Sequence, residues 1–407
     1  MNIDPLTRHA EQAGFAHVVS DMVYDAEQER PRLLAALEPL CPDIRGIMSG
    51  LRRRIPVAPN AATGVMGQFY RLPGHFRSLC CAIPSLGRPE QLWAGDVITF
   101  KGTEPLMPDF DEYLQWMMTA AFRGSDLPLG LHFPLMVNVP PGAVPLDECL
   151  REQRIAAAVH ERHLTVYGEL AHAPVPLFVH RCPAEATTDY VEALERHLTP
   201  QAFERIEGRA RAGCGVSVWY YPTAPIRVDD LRMLAATSPH LRVAAGEGEE
   251  TVTRWCRLFA RLLQLGFMPY APWNAGRGSC VDAGNACIDG GFADLLMLIP
   301  FESIPDDHWF RRSLLASARM LAHTVSMFTV SLATRPAERP DASLDPLSQA
   351  FLYPRLLDAV RAETPPDLVS DPRVVSCFAL DSLQDLVSSS RATQHPNAPY
   401  RADRPAA

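Results

Sequence analysis

Lysine is almost absent from this chain. Of its 38 basic residues only Lys101 is a lysine, and all the others are arginines. Codon composition in a GC-rich genome explains such a bias wherever a solvated positive charge is sufficient. Lysine differs from arginine because its compact ammonium fits a crowded phosphate site, and because it can lose its proton and attack a carbonyl. We therefore treat Lys101 as a candidate functional residue.

Several other features are missing, and each absence excludes a class of protein. No apolar run approaches the ~18 residues of a membrane-spanning helix, and the first residues lack the apolar core of a signal peptide. The ten cysteines include no C-x-x-C pair, so they are interpreted as small buried hydrophobes. A net charge of -9 argues against nucleic acid as a partner. We expect a cytoplasmic protein that does not bind membranes.

The composition that is present predicts a folded protein. Hydrophobic residues make up 47% of the 407 residues, and 37 prolines predict long irregular connections. The pattern of elements predicts an α+β fold with a small β-rich N-terminal lobe and a larger, mainly helical C-terminal lobe. The expected segments are a helical lead-in over residues 1–45, the β-rich lobe over 46–145, the mainly helical lobe over 146–335 and a Pro-rich C-terminal extension over 336–407.

The surroundings of Lys101 predict a rigid support for its side chain. The stretch from Gly95 to Gly102 is β-branched and aromatic between glycines, which predicts a strand that ends near Lys101. A helix with an acidic first turn is expected over residues 108–118. The carboxylates of this helix offer one way to hold the Lys101 ammonium, and Glu112 is the one among them that we expect to contribute to cofactor binding. The alternative is that these carboxylates only cap the helix.

A second candidate region, rich in Gly, Asn and Asp, spans residues 272–295. It predicts a hairpin in which Asn285–Ile288 is one strand, Asp289–Gly291 the turn and Phe292–Leu298 the return. Asn285 and Asp294 then offer the hard oxygen ligands that a magnesium ion prefers. Asp282 stands at the mouth of the same loop as a base or a further ligand. The alternative is a purely structural hairpin.

The combination of a strand lysine, an Asp followed by an Asn, a hairpin and a final Asp resembles the protein-kinase-like fold, including its small-molecule phosphotransferases. The resemblance covers residues 50–310 at most. It implies that Lys101 holds nucleotide phosphates, that Asp282 orients or deprotonates the acceptor, and that Asn285 and Asp294 bind metal. The chain departs from the family in its shorter Asp-to-Asn spacing, in lacking a Gly-rich loop and in having Asp-Leu-Leu where the family has D-F-G.

Histidines on the long helix expected after Leu150 offer a competing site. The spacings His160-x-x-His163 and Glu169-x-x-His172 each place two ligands on one helix face, as in helical di-iron and di-manganese sites. The alternative is a solvated helix face. A metal-dependent oxidase that uses the His160–His172 cluster and iron is therefore the second function considered, and a non-catalytic protein that binds a protein partner is the third.

The leading expectation is an ATP- and magnesium-dependent transferase or ligase that acts on a small polar substrate. Its predicted catalytic residues are Lys101 and Asp282, its cofactor-side residues Lys101 and Glu112, and its metal ligands Asn285 and Asp294. Neither the substrate nor the oligomeric state follows from the sequence.

Overall fold

The structure is a computed structural model that describes the chain in a series of segments. These are residues 16–18, 21–52, 55–57, 69–70, 72, 78–83, 96–102, 144–197, 200–231, 245–270, 279–333 and 362. The chain divides into two compact units. The first consists of Met1–Arg242, Cys287–Asp289 and Ala293–Leu296, and the second of Val243–Ala286, Gly290–Phe292 and Met297–Ala407.

Antiparallel strands form the framework of the first unit. Within the described segments, seven strands make one sheet. They are β2 (Asp21–Asp25), β4 (Phe69–Tyr70), β5 (Ser78–Ala82), β6 (Val97–Lys101), β7 (Val144–Pro145), β8 (Val175–Arg181) and β9 (Cys214–Tyr221). The order of the strands across the sheet is β2-β8-β9-β6-β5-β4, and β7 pairs with β9. A separate ladder pairs β1 (Ala16–Val18) with β3 (Ile55–Val57). The inner strands are rich in valine, aromatic residues and cysteine, as expected for strands that are buried on both faces.

Helices cover one face of this sheet. The helices of the first unit are α1 (Ala26–Glu29), α2 (Pro31–Leu37), α3 (Ile44–Leu51), α4 (Leu146–Tyr167), α5 (Ala184–His197) and α6 (Pro200–Arg211). Apolar side chains of α2 and α3 pack with alternate residues of the inner strands, among them Ile98, Phe100 and Val218. Alternation sets this face, because successive strand residues point to opposite sides of a sheet. The molecule is therefore of the α+β class.

The second unit is built around two long helices. These are α7 (Ala245–Gln264) and α8 (Asp307–Ala333), and the rings of Trp255 and Phe328 meet between them edge to face at 5.1 Å. A short antiparallel ladder pairs β10 (Phe267–Met268) with β11 (Ile299–Pro300), followed by a 3₁₀ turn over Phe301–Ser303. No helix among the described residues combines the length and the apolar character of a membrane span.

Several sequence predictions can be compared with these elements. The strand that ends near Lys101 is confirmed as β6, and the long helix expected after Leu150 is confirmed as α4, which begins earlier, at Leu146. The lead-in also contains β2, which pairs with β8 and so joins the main sheet. That sheet combines strands from both sides of the lobe boundary expected at residue 145, because β6 pairs with β9 along its whole length.

The predicted hairpin over residues 285–298 is much shorter than expected. One antiparallel bridge joins Ala286 to Phe292, and the residues expected to form a return strand adopt turns instead. Gly290 has a positive φ of 95°, and a side chain there would collide with Arg254. The Asp-Gly-Gly signal therefore marks a tight glycine-dependent turn, as predicted, without the ladder that was expected to follow it.

Candidate functional site

The position of Lys101 is fixed by a central strand of the main sheet. Lys101 is the last residue of β6 and is paired with Ser78 of β5 on one side and Ser217 of β9 on the other. The next residue, Gly102, has a φ of 107°, and a side chain there would overlap the backbone oxygen of Gly215. Only glycine permits this close approach. The strand therefore ends abruptly and leaves the lysine on a rigid support.

Helix α4 supplies the first partner of this lysine. The helix begins after Pro145, carries acidic residues in its first turn and ends at Gly168, whose φ of 75° terminates the helical path. Its buried face includes Glu152 and Gln153. The side chain of Gln153 donates to the backbone oxygen of Val218 at 3.1 Å, which fixes the helix against β9. Glu152 is thereby held on the side of α4 that faces the sheet.

Lys101, Glu152 and Asp294 form one hydrogen-bonded cluster within the first unit. Lys101 Nζ lies 2.9 Å from each carboxyl oxygen of Glu152 and 3.1 Å from Asp294 Oδ2. The Glu152 side chain is 2% exposed, and those of Lys101 and Asp294 are 13% and 14% exposed. Burial strengthens such interactions and makes an unpaired charge costly. Lys101 and Asp294 therefore keep some solvent exposure, whereas Glu152 has almost none.

The two carboxyl groups of the cluster titrate in opposite directions. Burial raises the pKa of Glu152 from 4.5 to about 8, although the Lys101 ammonium opposes the shift. Burial also acts to raise the pKa of Asp294, but Lys101 and Arg227 outweigh it and lower that pKa to about 2. Asp294 is therefore a permanent carboxylate at neutral pH, whereas Glu152 changes its protonation near the physiological range.

The backbone around Asp294 is anchored to the main sheet. Its second oxygen, Oδ1, accepts a hydrogen bond from Leu296 N at 3.0 Å. The hydroxyl of Tyr221, at the end of β9, donates to the backbone oxygen of Ala293 at 3.0 Å. Arg227 forms an antiparallel bridge with Cys287 in the same part of the chain. These contacts hold a loop residue beside a strand lysine that lies 193 positions earlier in the sequence.

Asp282 and Asn285 belong to the second unit, where both stabilise one turn. Asp282 Oδ2 accepts from Ser279 N at 3.2 Å, and Asn285 Nδ2 donates to Ser279 O at 2.9 Å. The backbone N–H groups of Asn285 and Ala286 donate to the carbonyl oxygen of Asp282. Such Asx-type bonds are the usual local partners of these side chains. The predicted catalytic role of Asp282 and metal role of Asn285 remain predictions.

Sequence reasoning identified two members of the cluster and missed the third. Lys101 and Asp294 were both candidates, but the carboxylate expected to hold Lys101 was Glu112, which lies outside the described residues together with the helix predicted at 108–118. The observed partner, Glu152, did carry a signal. It occupies an inward position of α4, between the buried residues Cys149 and Ala156, where a charge is unusual.

The histidines of α4 engage backbone groups. His160 is fully buried, and its Nε2 donates to Pro174 O at 2.9 Å, while burial lowers the pKa of the ring to about 4. His163 Nδ1 lies 2.7 Å from Glu169 O. A carbonyl oxygen only accepts hydrogen bonds, so each of these ring nitrogens carries a proton and is not free for a metal.

The third histidine of the competing site belongs to a different group. His172 Nε2 lies 3.0 Å from Asp289 Oδ2, and the hydroxyl of Thr223 donates to the same oxygen. Across the segments that the structure describes, no group of three or more His, Cys, Asp or Glu side chains is arranged to hold a metal ion.

The geometry of the Lys101 cluster stands without support from known relatives. No family model matches the chain. No curated protein matches it either. We therefore infer function from the residues and their contacts alone.

Proposed function

We propose that this chain is an ATP- and magnesium-dependent transferase or ligase that acts on a small polar substrate, through phosphoryl transfer or a related adenylyl or ligase reaction. The observation that carries the proposal is the cluster of Lys101, Glu152 and Asp294. In protein kinases, a strand lysine binds phosphates while paired to a helix glutamate, and a separate aspartate holds magnesium. The predicted division into a β-rich lobe and a helical lobe is part of the same proposal.

The placement of the three residues supports this proposal in a way that a surface ion pair would not. Lys101 ends an inner strand of an antiparallel sheet, Glu152 comes from a helix that packs on that sheet, and Asp294 comes from a loop far along the chain. An exposed ion pair contributes little and requires no such arrangement. Here side chains from three separate elements meet at a single amine, and the Lys101 side chain remains 13% exposed.

Each residue has a defined role in the proposed reaction. The Lys101 ammonium would donate hydrogen bonds to phosphate oxygens, and Glu152 would hold the ammonium in position from behind. The low pKa of Asp294 keeps it a carboxylate, which is the hard oxygen ligand that magnesium prefers. Bound magnesium would neutralise charge that develops on the phosphate oxygens. Asn285 and Asp282 belong to the second unit, so their expected roles as a metal ligand and as the group that orients the acceptor stay predictions.

A thermal-shift titration tests this function. Wild-type protein should be stabilised by ATP in the presence of Mg²⁺, and removing the metal with EDTA should abolish the effect. Each variant is compared with its own ligand-free melting temperature, so a general loss of stability does not obscure the result. Lys101→Ala should lose the shift, and Lys101→Arg should not restore it, because a guanidinium does not fit a site built for an ammonium.

A matched control and a metal measurement complete this experiment. Arg211→Ala removes an exposed cation from α6 and should leave the ATP shift unchanged. An unchanged shift in both Lys101 variants would overturn the proposal. Near-stoichiometric iron or manganese in the purified protein, lost in His172→Ala, would favour the metal-dependent oxidase instead.

A further inference from the structure

Two cysteines face each other where the chain leaves and rejoins the main sheet. Cys182 follows the last residue of β8, and Cys214 is the first residue of β9. The register pairs Arg181 with Gly215, so Cys182 and Cys214 come next on the same ladder, and Cys182 N donates to Cys214 O at 2.9 Å. Directly opposed residues of antiparallel strands have Cα atoms about 4.5–5.5 Å apart, within the range that disulfides span.

The two side chains belong to one packed cluster. Cys182 packs against the small core that contains Cys214, and the Thr187 hydroxyl lies 3.8 Å from Cys214 Sγ. The hydrogen bond from Cys182 lowers the pKa of Cys214 to about 7, although burial opposes the shift. Cys214 is 1% exposed, whereas Cys182 is only partly buried. The neighbouring Cys214 and burial raise the pKa of the Cys182 thiol, so the thiolate of the pair forms on Cys214.

A bond between the two cysteines would affect the pair of helices that connects them. Helices α5 and α6 connect β8 to β9, and their side chains form a small core directly over Cys214. This core comprises Tyr190, Val191, Leu194, Ala210 and Cys214, with Cys182 and Phe203 at its edge. The two cysteines stand at the base of the helical pair, one at each end. A disulfide between them would close the segment that contains α5 and α6 into a loop. The loop would reduce the conformational freedom of this segment when the two helices open.

We propose that Cys182 and Cys214 are a redox-modification site that forms a reversible disulfide at the base of helices α5 and α6, with hydrogen peroxide as the oxidant. The thiolate sulfur of the pair attacks one peroxide oxygen, the O–O bond breaks, and the leaving hydroxide takes the proton that the thiol released and departs as water, so that this cysteine becomes a sulfenic acid. The other sulfur then attacks the sulfenic sulfur, the S–O bond breaks, and a second water leaves with the second thiol proton. Two thiols are oxidised and one peroxide is reduced to water.

A third cysteine defines the most informative control. Cys149, in the first turn of α4, is buried and packs near Gly215, where an added side chain would lie 3.5 Å from its sulfur. It influences the Cys182 thiol electrostatically. A bond between Cys149 and Cys182 is therefore the main competing outcome. The strand register favours Cys214, because only Cys214 lies directly across the ladder from Cys182.

Mass spectrometry of the full chain tests the proposal. Wild-type protein is titrated with hydrogen peroxide, its free thiols are alkylated, and its peptides are mapped without reduction. We expect a cross-link between the peptides of Cys182 and Cys214 that dithiothreitol reverses. The cross-link should be absent in Cys182→Ser and Cys214→Ser and retained in Cys149→Ser. A cross-link that includes Cys149, or over-oxidation of Cys182 with no cross-link, would overturn the proposal.

Limited proteolysis gives a readout on structure that does not depend on nucleotide binding. Arg209 and Arg211 lie in α6, so trypsin reports the opening of this helical pair. Oxidation should slow cleavage there several-fold in the wild type and should leave the rate unchanged in Cys182→Ala and Cys214→Ala, which replace the serine variants if those fail to fold. Equal cleavage rates for oxidised and reduced wild-type protein would contradict a disulfide that restrains helices α5 and α6. The result is independent of whether Lys101 binds ATP.

Discussion

The two halves of helix α4 bury polar side chains in different ways. In its first half, the buried Glu152 pairs with Lys101, whose amine also contacts Asp294. In its second half, His160 is equally buried but donates to a backbone carbonyl, and its other ring nitrogen has no hydrogen-bond partner among the described residues. In the first half of the helix, charged side chains from distant elements meet at Glu152. In the second half, a histidine ring forms a hydrogen bond with a nearby backbone carbonyl. That difference separates a candidate site from a structural contact.

The comparison also shows what residue spacing alone leaves open. His160 and His163 have the spacing of metal ligands, yet short bonds to carbonyl oxygens use one nitrogen of each ring. Glu152 belongs to no motif, yet it lies behind the single lysine of the chain. Spacing shows which side chains share a helix face, but it does not show what that face packs against. Burial and partners decide whether a polar residue is available for chemistry.

The largest effect should come from removing the central charge. Lys101→Ala leaves Glu152 and Asp294 facing each other without their cation, which should destabilise the fold by about 3–5 kcal/mol. Chemical denaturation measures this loss. The triple variant Lys101→Met, Glu152→Gln and Asp294→Asn removes every charge of the cluster and should recover most of it. If the triple variant is no more stable than Lys101→Ala, packing of the lysine stem rather than charge is responsible.

The next effect concerns pH in the first half of α4. Because folding raises the pKa of Glu152 from 4.5 to about 8, this group's contribution to stability is complete below pH 4.5 and is lost as pH rises through about 8. Glu152→Gln stays neutral at every pH. Relative to wild type, it should therefore gain stability steadily from pH 5 to pH 9, as measured by urea unfolding. A constant difference between the two proteins would show that Glu152 does not titrate in this range.

A smaller loss is expected in the second half of the helix. His160→Ala leaves the Pro174 carbonyl without its buried donor, which should cost about 2 kcal/mol. His160→Gln keeps an N–H donor and should recover part of that stability. Neither variant should alter the ATP-dependent thermal shift relative to its own ligand-free protein. Loss of the shift in both variants would place His160 in the functional site and remove the contrast between the two halves.

The smallest effect should appear at acid pH. Because folding lowers the pKa of Asp294 from 3.8 to about 2, its contribution to stability is present above pH 3.8 and is lost as pH falls through about 2. Asp294→Asn should therefore lose less stability than wild type between pH 5 and pH 3. Melting temperatures across that range measure the difference. Parallel curves for the two proteins would indicate that Asp294 is not held as a carboxylate by Lys101 and Arg227.

Local patterns in the sequence predicted local structure well. The strand that ends at Lys101 and the long helix expected after Leu150 follow from β-branched runs and helical periodicity. The pairing of these elements was not predictable in the same way. That β6 pairs with β9, across more than a hundred residues, depends on long-range packing that no local window contains.

The candidate site was predictable only in part for the same reason. Lys101 was singled out because it is the one lysine, and Asp294 because it follows a glycine turn. Glu152 required knowledge of which side of α4 faces the sheet, and the anchoring of Asp294 by Tyr221 required the end of β9 to lie beside the Asp294 loop. Asp282 and Asn285 carry the right residue types, and their side chains also bind their own turn.

Calorimetric titration of Mg²⁺-ATP into wild type, Glu152→Gln and His160→Gln tests the central claim most directly. Both variants are conservative, and both change a buried polar residue of the same helix. At pH 9, where Glu152 is ionised, we expect wild type and His160→Gln to bind with equal affinity, and Glu152→Gln to bind at least about tenfold more weakly because the Lys101 ammonium is no longer held in place by a carboxylate. Absence of binding to wild type, or equal affinity in all three proteins, would contradict the assignment of the Lys101, Glu152 and Asp294 cluster as a nucleotide site.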